Sequence, residues 1–188
     1  DLHGKTVGVL GFGKIGRVFS RICIGFGMKV LVWDKVQTNK LNLKVEFVAL
    51  EELLSKSDVI SLHLAFNEET KYIINEKTIS QMKDSAFLIN TARGKLIKSE
   101  DLLKSLLAGK FAGVALDVLE DKHEVFFRNM DGQTLLDDVL ARLITIQRVL
   151  ITSRMGWFTK ENIILEFETI FKNLKAFNET GKVIDSAF

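Results

Sequence analysis

Three glycines, Gly11, Gly13 and Gly16, lie in the run Gly11-Phe12-Gly13-Lys14-Ile15-Gly16, between the apolar stretch "KTVGVL" and an amphipathic one. Glycines at this spacing suit a phosphate-binding turn. The first permits a tight bend, the second lets the main chain approach a pyrophosphate, and the third lets the following helix pack closely on the strand before it. The pattern alone is weak, and its weight comes from an acid further on. "MKVLVWDK" ends a second apolar run in Asp34, about 20 residues past the glycines, where a carboxylate accepts hydrogen bonds from ribose hydroxyls and repels a 2′-phosphate. The two halves imply a dinucleotide site that favours NAD over NADP, with Lys35 beside Asp34 as a weak argument for NADP.

Other apolar runs also end in polar groups: His63, then Asn90-Thr91-Ala92-Arg93-Gly94, then Asp117, then Ser153-Arg154. Arg93, in "LINTARGKLI", offers five donors in a fixed fork that matches a carboxylate. Considered alone, it is equally well explained as the partner of a structural acid. Arg154, in "VLITSRMGWFT", is a permanent cation at a strand end, and with a pKa above about 12 it accepts no proton.

Positioning all these groups requires an alternation of strands and helices. Strands are expected at 5–10, 29–33, 45–48, 58–63, 86–90, 111–118 and 148–152, with helices at 14–25, 51–56, 75–82, 99–108, 134–144 and 159–178. The expected fold class is α/β: a Rossmann-type doubly wound parallel sheet of about seven strands in three layers, with strand ends gathered on one edge. In "SEDLLKSLLAGK", Ser99 reads as the N-cap, Leu102, Leu103, Leu106 and Leu107 as the apolar stripe, and Gly109 as the stop. The longest irregular stretch, 119–133, suits an arm or lid. No linker or repeat divides the chain, so 1–188 reads as a single NAD-binding domain.

Composition narrows the partners. Lys and Arg number 26 against 24 Asp and Glu, intermixed, which argues against nucleic acid or an anionic membrane as partner. Apolar runs stay well short of the ~20 residues that span a bilayer. No secretory signal is visible, and one cysteine, Cys23, suits a reducing compartment, with the cytoplasm as the expected location. Proline is absent, where average usage of about 5% predicts roughly nine.

In order along the chain, "LHGKTVGVLGFGKIG", "VWDK", "SDVISLHL", "FLINTARGKLI", "LLKSLLAGKFAGVALDV" and "VLITSRMGWFT" resemble the NAD-dependent D-2-hydroxyacid dehydrogenases, from residue 2 to about residue 160. "EVFFRNMDGQTLLDDVLARL" is most similar to the D-lactate dehydrogenase branch. The resemblance implies NAD as cofactor and a small 2-oxo or 2-hydroxy acid as substrate. It places Gly11, Gly13, Lys14, Ile15 and Gly16 at the pyrophosphate and Asp34, with Lys35 beside it, at the ribose. His63 lines the cofactor cleft, Leu64, Ala65 and Thr70 the adenine and ribose side, and Thr91, Ala92 and Asp117 the nicotinamide. Arg154 and Gly156, from the last motif, join the cofactor contacts. Arg93 would grip the substrate carboxylate.

Three departures from the family pattern stand out. Where the family has its acid/base histidine, after a proline, this chain has Ser153-Arg154, and where a glutamate keeps that histidine protonated and oriented, counting five from Asp117 reaches Lys122. Oxidising a hydroxy acid needs a group that takes the hydroxyl proton, and the guanidinium of Arg154 does not. Glu120, Asp121, Glu124 and His123 are the substitutes within reach of a register slip, all disfavoured, and His3 and His63 are no better placed. Second, the family's substrate and lid domain is expected to be absent. Third, positions that usually hold proline carry Ala65, Glu68, Asp84, Gln147 and Ser153, which suggests an engineered or strongly drifted sequence.

These readings predict either an NAD-binding domain with weak or no hydride-transfer activity, or a stand-alone NAD-binding scaffold or pseudoenzyme without turnover. A flavodoxin-like scaffold that binds no nucleotide is the remaining alternative. The resemblance further implies a homodimer through 119–146, where Phe126, Phe127, Leu135, Leu136, Val139 and Leu140 offer apolar surface. The alternative there is that this segment folds back on its own sheet.

Overall fold

A computed structural model describes residues 1–37, 42–120, 138–152 and 154–184. Chain packing separates a larger unit, Asp1–Arg154, from a smaller one, Met155–Phe188. The larger unit is built on a parallel sheet of seven strands: β1 (Thr6–Leu10), β2 (Lys29–Trp33), β3 (Glu46–Phe47), β4 (Val59–Leu62), β5 (Phe87–Asn90), β6 (Gly113–Leu116) and β7 (Val149–Ile151). Its order is β3-β2-β1-β4-β5-β6-β7. The chain therefore winds outward one way from β1 and then the other way from β4, leaving a crevice at the carboxyl ends of these two neighbours, where open α/β sheets bind ligands.

The strands are short apolar runs because both faces of the sheet carry side chains that must be buried. Val7, Val9, Val30 and Val32 point to one face, where they pack with Cys23 of α1 (Lys14–Gly25). Leu10, Leu31, Ile60, Leu62, Leu88, Val114 and Leu116 point to the other. That face is covered by α2 (Leu50–Lys56), α3 (Glu76–Ser80), α4 (Ser99–Leu107) and α5 (Asp138–Thr145), which contribute Leu53, Ile79, Leu102 and Leu143. The three-layer doubly wound fold is the one expected.

Strand ends are trimmed relative to the sequence reading, most of all at 45–48, where two residues pair, and at 111–118, where four do. A 3-10 turn at Gly94–Leu96 has no counterpart in the periodicity. Ser99 is not the N-cap of α4. It is the first helical residue after Lys98, and its N–H donates to the Glu120 carboxylate at 3.0 Å, so the cap comes from a residue distant in sequence. Gly109 does follow the helix end, in the left-handed region at φ +89°.

The smaller unit holds α6 (Lys160–Thr180), whose first turn is capped by Thr159, accepting from Asn162 N–H at 3.2 Å, and whose end is closed by Gly181 at φ +70°. None of the helices in the described residues is long and apolar enough to cross a membrane.

Candidate cofactor and substrate site

The glycine turn leaves β1 as the spacing demands. Gly11 sits at φ +101°, and a Cβ there would lie 2.7 Å from the His63 carbonyl carbon, so the turn tolerates no side chain. A Cβ on Gly16 would meet the Gly11 carbonyl oxygen at 2.0 Å, which is how closely α1 rests on the turn. Gly13, by contrast, faces open space. It precedes α1 at an ordinary φ of −71°, and no side chain caps the helix. Alone among the six α-helices of the described residues, α1 has no acid in its first turn. Uncapped N–H groups, the positive end of a helix dipole, Lys14 beside them and open space at Gly13 together form an anion cradle.

Asp34 stands at the end of β2 and braces this cradle. One carboxylate oxygen accepts from Phe12 N–H at 2.6 Å and the other from Val36 N–H at 2.9 Å. Each oxygen retains acceptor capacity for a ribose hydroxyl. The ammonium of Lys35 pairs with Glu69, both side chains mostly exposed, which turns that cation toward a surface partner.

His63 follows β4, half-buried under the turn. Its Nε2 lies 2.9 Å from Ser61 Oγ and its ring 4.9 Å from that of Phe19. Burial lowers its pKa to about 4, so the imidazole is neutral near pH 7 and is a wall of the crevice. Leu64 and Ala65 continue along the same edge. Thr70 is buried, and its hydroxyl donates to the Ala65 carbonyl at 2.8 Å and accepts from Asn67 N–H at 2.9 Å. It holds the turn in shape.

After β5, the side chain of the fully buried Asn90 shapes the loop that carries Thr91, Ala92 and Arg93. Its amide nitrogen donates to the Arg93 carbonyl and its oxygen accepts from Ala92 N–H, both at 3.0 Å. Arg93 is exposed, with one guanidinium nitrogen donating to the Ala92 carbonyl at 2.8 Å. Asp117, after β6, accepts from Thr152 Oγ1 at 2.5 Å, and its N–H donates to the Asn90 carbonyl at 2.9 Å. Arg154, after β7, adopts the left-handed φ of +55°, with its N–H bonded to the Asp117 carbonyl at 3.1 Å. A side chain held in that region costs about 1 kcal/mol or more and marks a position fixed by its surroundings.

The candidate residues of the larger unit thus gather along one edge of the sheet. Lys122, like Ser153, Asp121, His123 and Glu124, lies outside the described residues, and Gly156 belongs to the smaller unit. The Glu120 carboxylate accepts from the Tyr72 hydroxyl and from Ser99 N–H. The sequence did not reveal the looping role of Asn90 or the double bond of Glu120, because both depend on contacts between separate loops.

The model of the NAD-binding domain of D-isomer-specific 2-hydroxyacid dehydrogenases matches residues 1–156. The chain belongs to this family. D-lactate dehydrogenase kk1H of Curvularia clavata is 39% identical over 173 residues, covering 92% of this chain and 50% of the relative. D-lactate dehydrogenase of Escherichia coli is 38% identical over 174 residues, 92% and 53% of the two. The crystal structure of Aquifex aeolicus D-lactate dehydrogenase with NAD and lactic acid superposes with a TM-score of 0.85 at 36% identity, covering 96% of this chain and 57% of that one. The chain spans about half the length of the relatives it matches, and the half it spans is the dehydrogenases' NAD-binding domain. Its cofactor is NAD, and the anion cradle and Asp34 fit that dinucleotide.

Proposed function

We propose that this chain is the NAD(H)-holding half of a D-2-hydroxyacid dehydrogenase of the D-lactate type whose proton-transfer pair has been replaced, leaving weak turnover or none. The observation that supports the reading is Arg154 at the end of β7, its N–H bonded to the Asp117 carbonyl, where by the resemblance the family has its acid/base histidine. Bound NAD supplies the hydride acceptor. On the protein side, Gly13 and the first turn of α1 receive the pyrophosphate, Asp34 holds the ribose hydroxyls, and Arg93 orients the carboxylate of a 2-oxo or 2-hydroxy acid. The hydroxyl proton then has no acceptor, since Arg154 stays protonated and Lys122 replaces the carboxylate that would support a histidine. The result is a site that collects anions without moving a proton. The same reading gives a homodimer through 119–146 and a cytoplasmic location.

The test is pyruvate-dependent loss of NADH absorbance at high protein concentration, for the wild type and for Arg154→His combined with Lys122→Glu. The reading expects NADH to bind in both and turnover to rise about 100-fold or more in the double variant, the scale of general acid/base catalysis. Wild-type turnover equal to that of the double variant contradicts it. Binding with no turnover in either favours the stand-alone binding scaffold instead.

A further inference from the structure

The Glu120 carboxylate joins two loops that are far apart in sequence. One oxygen accepts from the Tyr72 hydroxyl and the other from Ser99 N–H at 3.0 Å, so one side chain closes the turn after β4 and caps α4. An anion at a helix N-terminus and a charge-assisted bond are both stronger than neutral contacts. Tyr72 is held in place, at a left-handed φ of +52° and with its N–H donating to the Lys95 carbonyl at 2.8 Å. Glu120 is itself seated on the Arg93 loop: a Cβ on Gly94 would lie 1.9 Å from the Leu119 carbonyl oxygen and 2.7 Å from Glu120 N.

Three loops therefore meet around Glu120, two through its carboxylate bonds to Tyr72 and Ser99 and the Arg93 loop against its main chain. The first, Ala65–Tyr72, is stiffened by Thr70 and Asn67 and belongs to the adenine side of the crevice. The second carries Arg93, and the third carries Asp117. We propose that Glu120 is a positioning residue that fixes the Arg93 loop against the adenine-side turn, so that substrate-carboxylate and cofactor contacts are set by one shared clamp. This rests on the reading of the crevice as an NAD and 2-oxo acid site. Glutamine at 120 preserves the clamp, because its oxygen accepts from Ser99 N–H while its NH₂ donates to the Tyr72 hydroxyl. Alanine abolishes it, and Tyr72→Phe cuts one arm while leaving the α4 cap.

Amide hydrogen exchange on the unliganded chain tests the clamp, with NADH titration alongside. Losing a hydrogen bond to a charged group corresponds to exchange about tenfold faster or more. Tyr72→Phe and Glu120→Ala are expected to show that increase both at 67–74 and at 92–98, and to weaken NADH binding, while Glu120→Gln stays close to wild type. Confinement of the Tyr72→Phe effect to 67–74, or of the Glu120→Ala effect to the first turn of α4, overturns the proposal. If Glu120→Ala fails to fold, Tyr72→Phe decides. A wild-type chain that binds no NADH refutes the functional reading of the crevice, and the exchange result still decides the clamp.

Discussion

His63 shows how one side chain reports on the packing of the crevice. With its folded pKa near 4 against an ordinary 6.5, the unfolded chain binds more protons between those values. Stability therefore rises with pH through that window and is lost as pH falls from 6.5 toward 4, by up to about 3 kcal/mol for a shift of this size. Asp58 and Asp101, whose pKa values are lowered, lose their contributions only below the ordinary carboxylate value of 3.8. Urea unfolding from pH 4 to 7 should show the loss in the wild type and a flatter profile in His63→Gln, and identical profiles would contradict the burial argument. Single residues were legible where their chemistry is local. Gly11, Gly16 and Asp34 act through backbone conformation, close approach and position at a strand end, and each took its expected place. The bond of the Thr70 hydroxyl within its own turn and the pairing of Lys35 with Glu69 were not legible, because neither is encoded at short range.

At the scale of elements, what sets the site is the way each strand hands over to its loop. Asn90 is the clearest case: both ends of its buried amide are spent on the loop that carries Arg93. Asn90→Ala would strand a donor and an acceptor, costing about 1–3 kcal/mol by the penalty for unmade buried hydrogen bonds. Thermal unfolding should show that loss, and an unchanged stability would mean the loop holds itself. The seven strands and six α-helices of the described residues were legible because apolar runs and 3.6-residue periods recur between turn residues. Their ends were not, since hydrogen-bonded pairing stops where the neighbouring strand stops, as at β3 and β6. Ser99 is the same lesson at a helix start: its residue type suits a cap, but Glu120 reaches across and provides it.

The whole molecule raises the question of assembly. In the proposed dimer region, Val139 packs against the core and Leu140 is buried within the chain, so these two do not add the free apolar surface expected of them. Phe126, Phe127, Leu135 and Leu136 lie outside the described residues, and on α5 it is Ile144 that remains half-exposed, at 51%. Sedimentation is expected to show a dimer that Ile144→Lys shifts toward monomer, whereas a wild-type monomer would remove the dimer from the account. That the strand ends converge on one edge was visible in the sequence, because a parallel sheet leaves no other arrangement. The assignment of the family's acid/base positions to Arg154 and Lys122 rests on the resemblance, and Lys122 lies outside the described residues. The most direct measurement of the central claim is a fluorescence titration of NADH into the wild type and Gly13→Ala. The open space and ordinary φ at Gly13 let the variant keep its fold, while its methyl group would stand in the proposed pyrophosphate cradle. The account predicts NADH binding by the wild type and affinity at least about tenfold weaker in the variant, the 1.4 kcal/mol of one lost contact or more. Equal affinities, or no binding by the wild type, would contradict it.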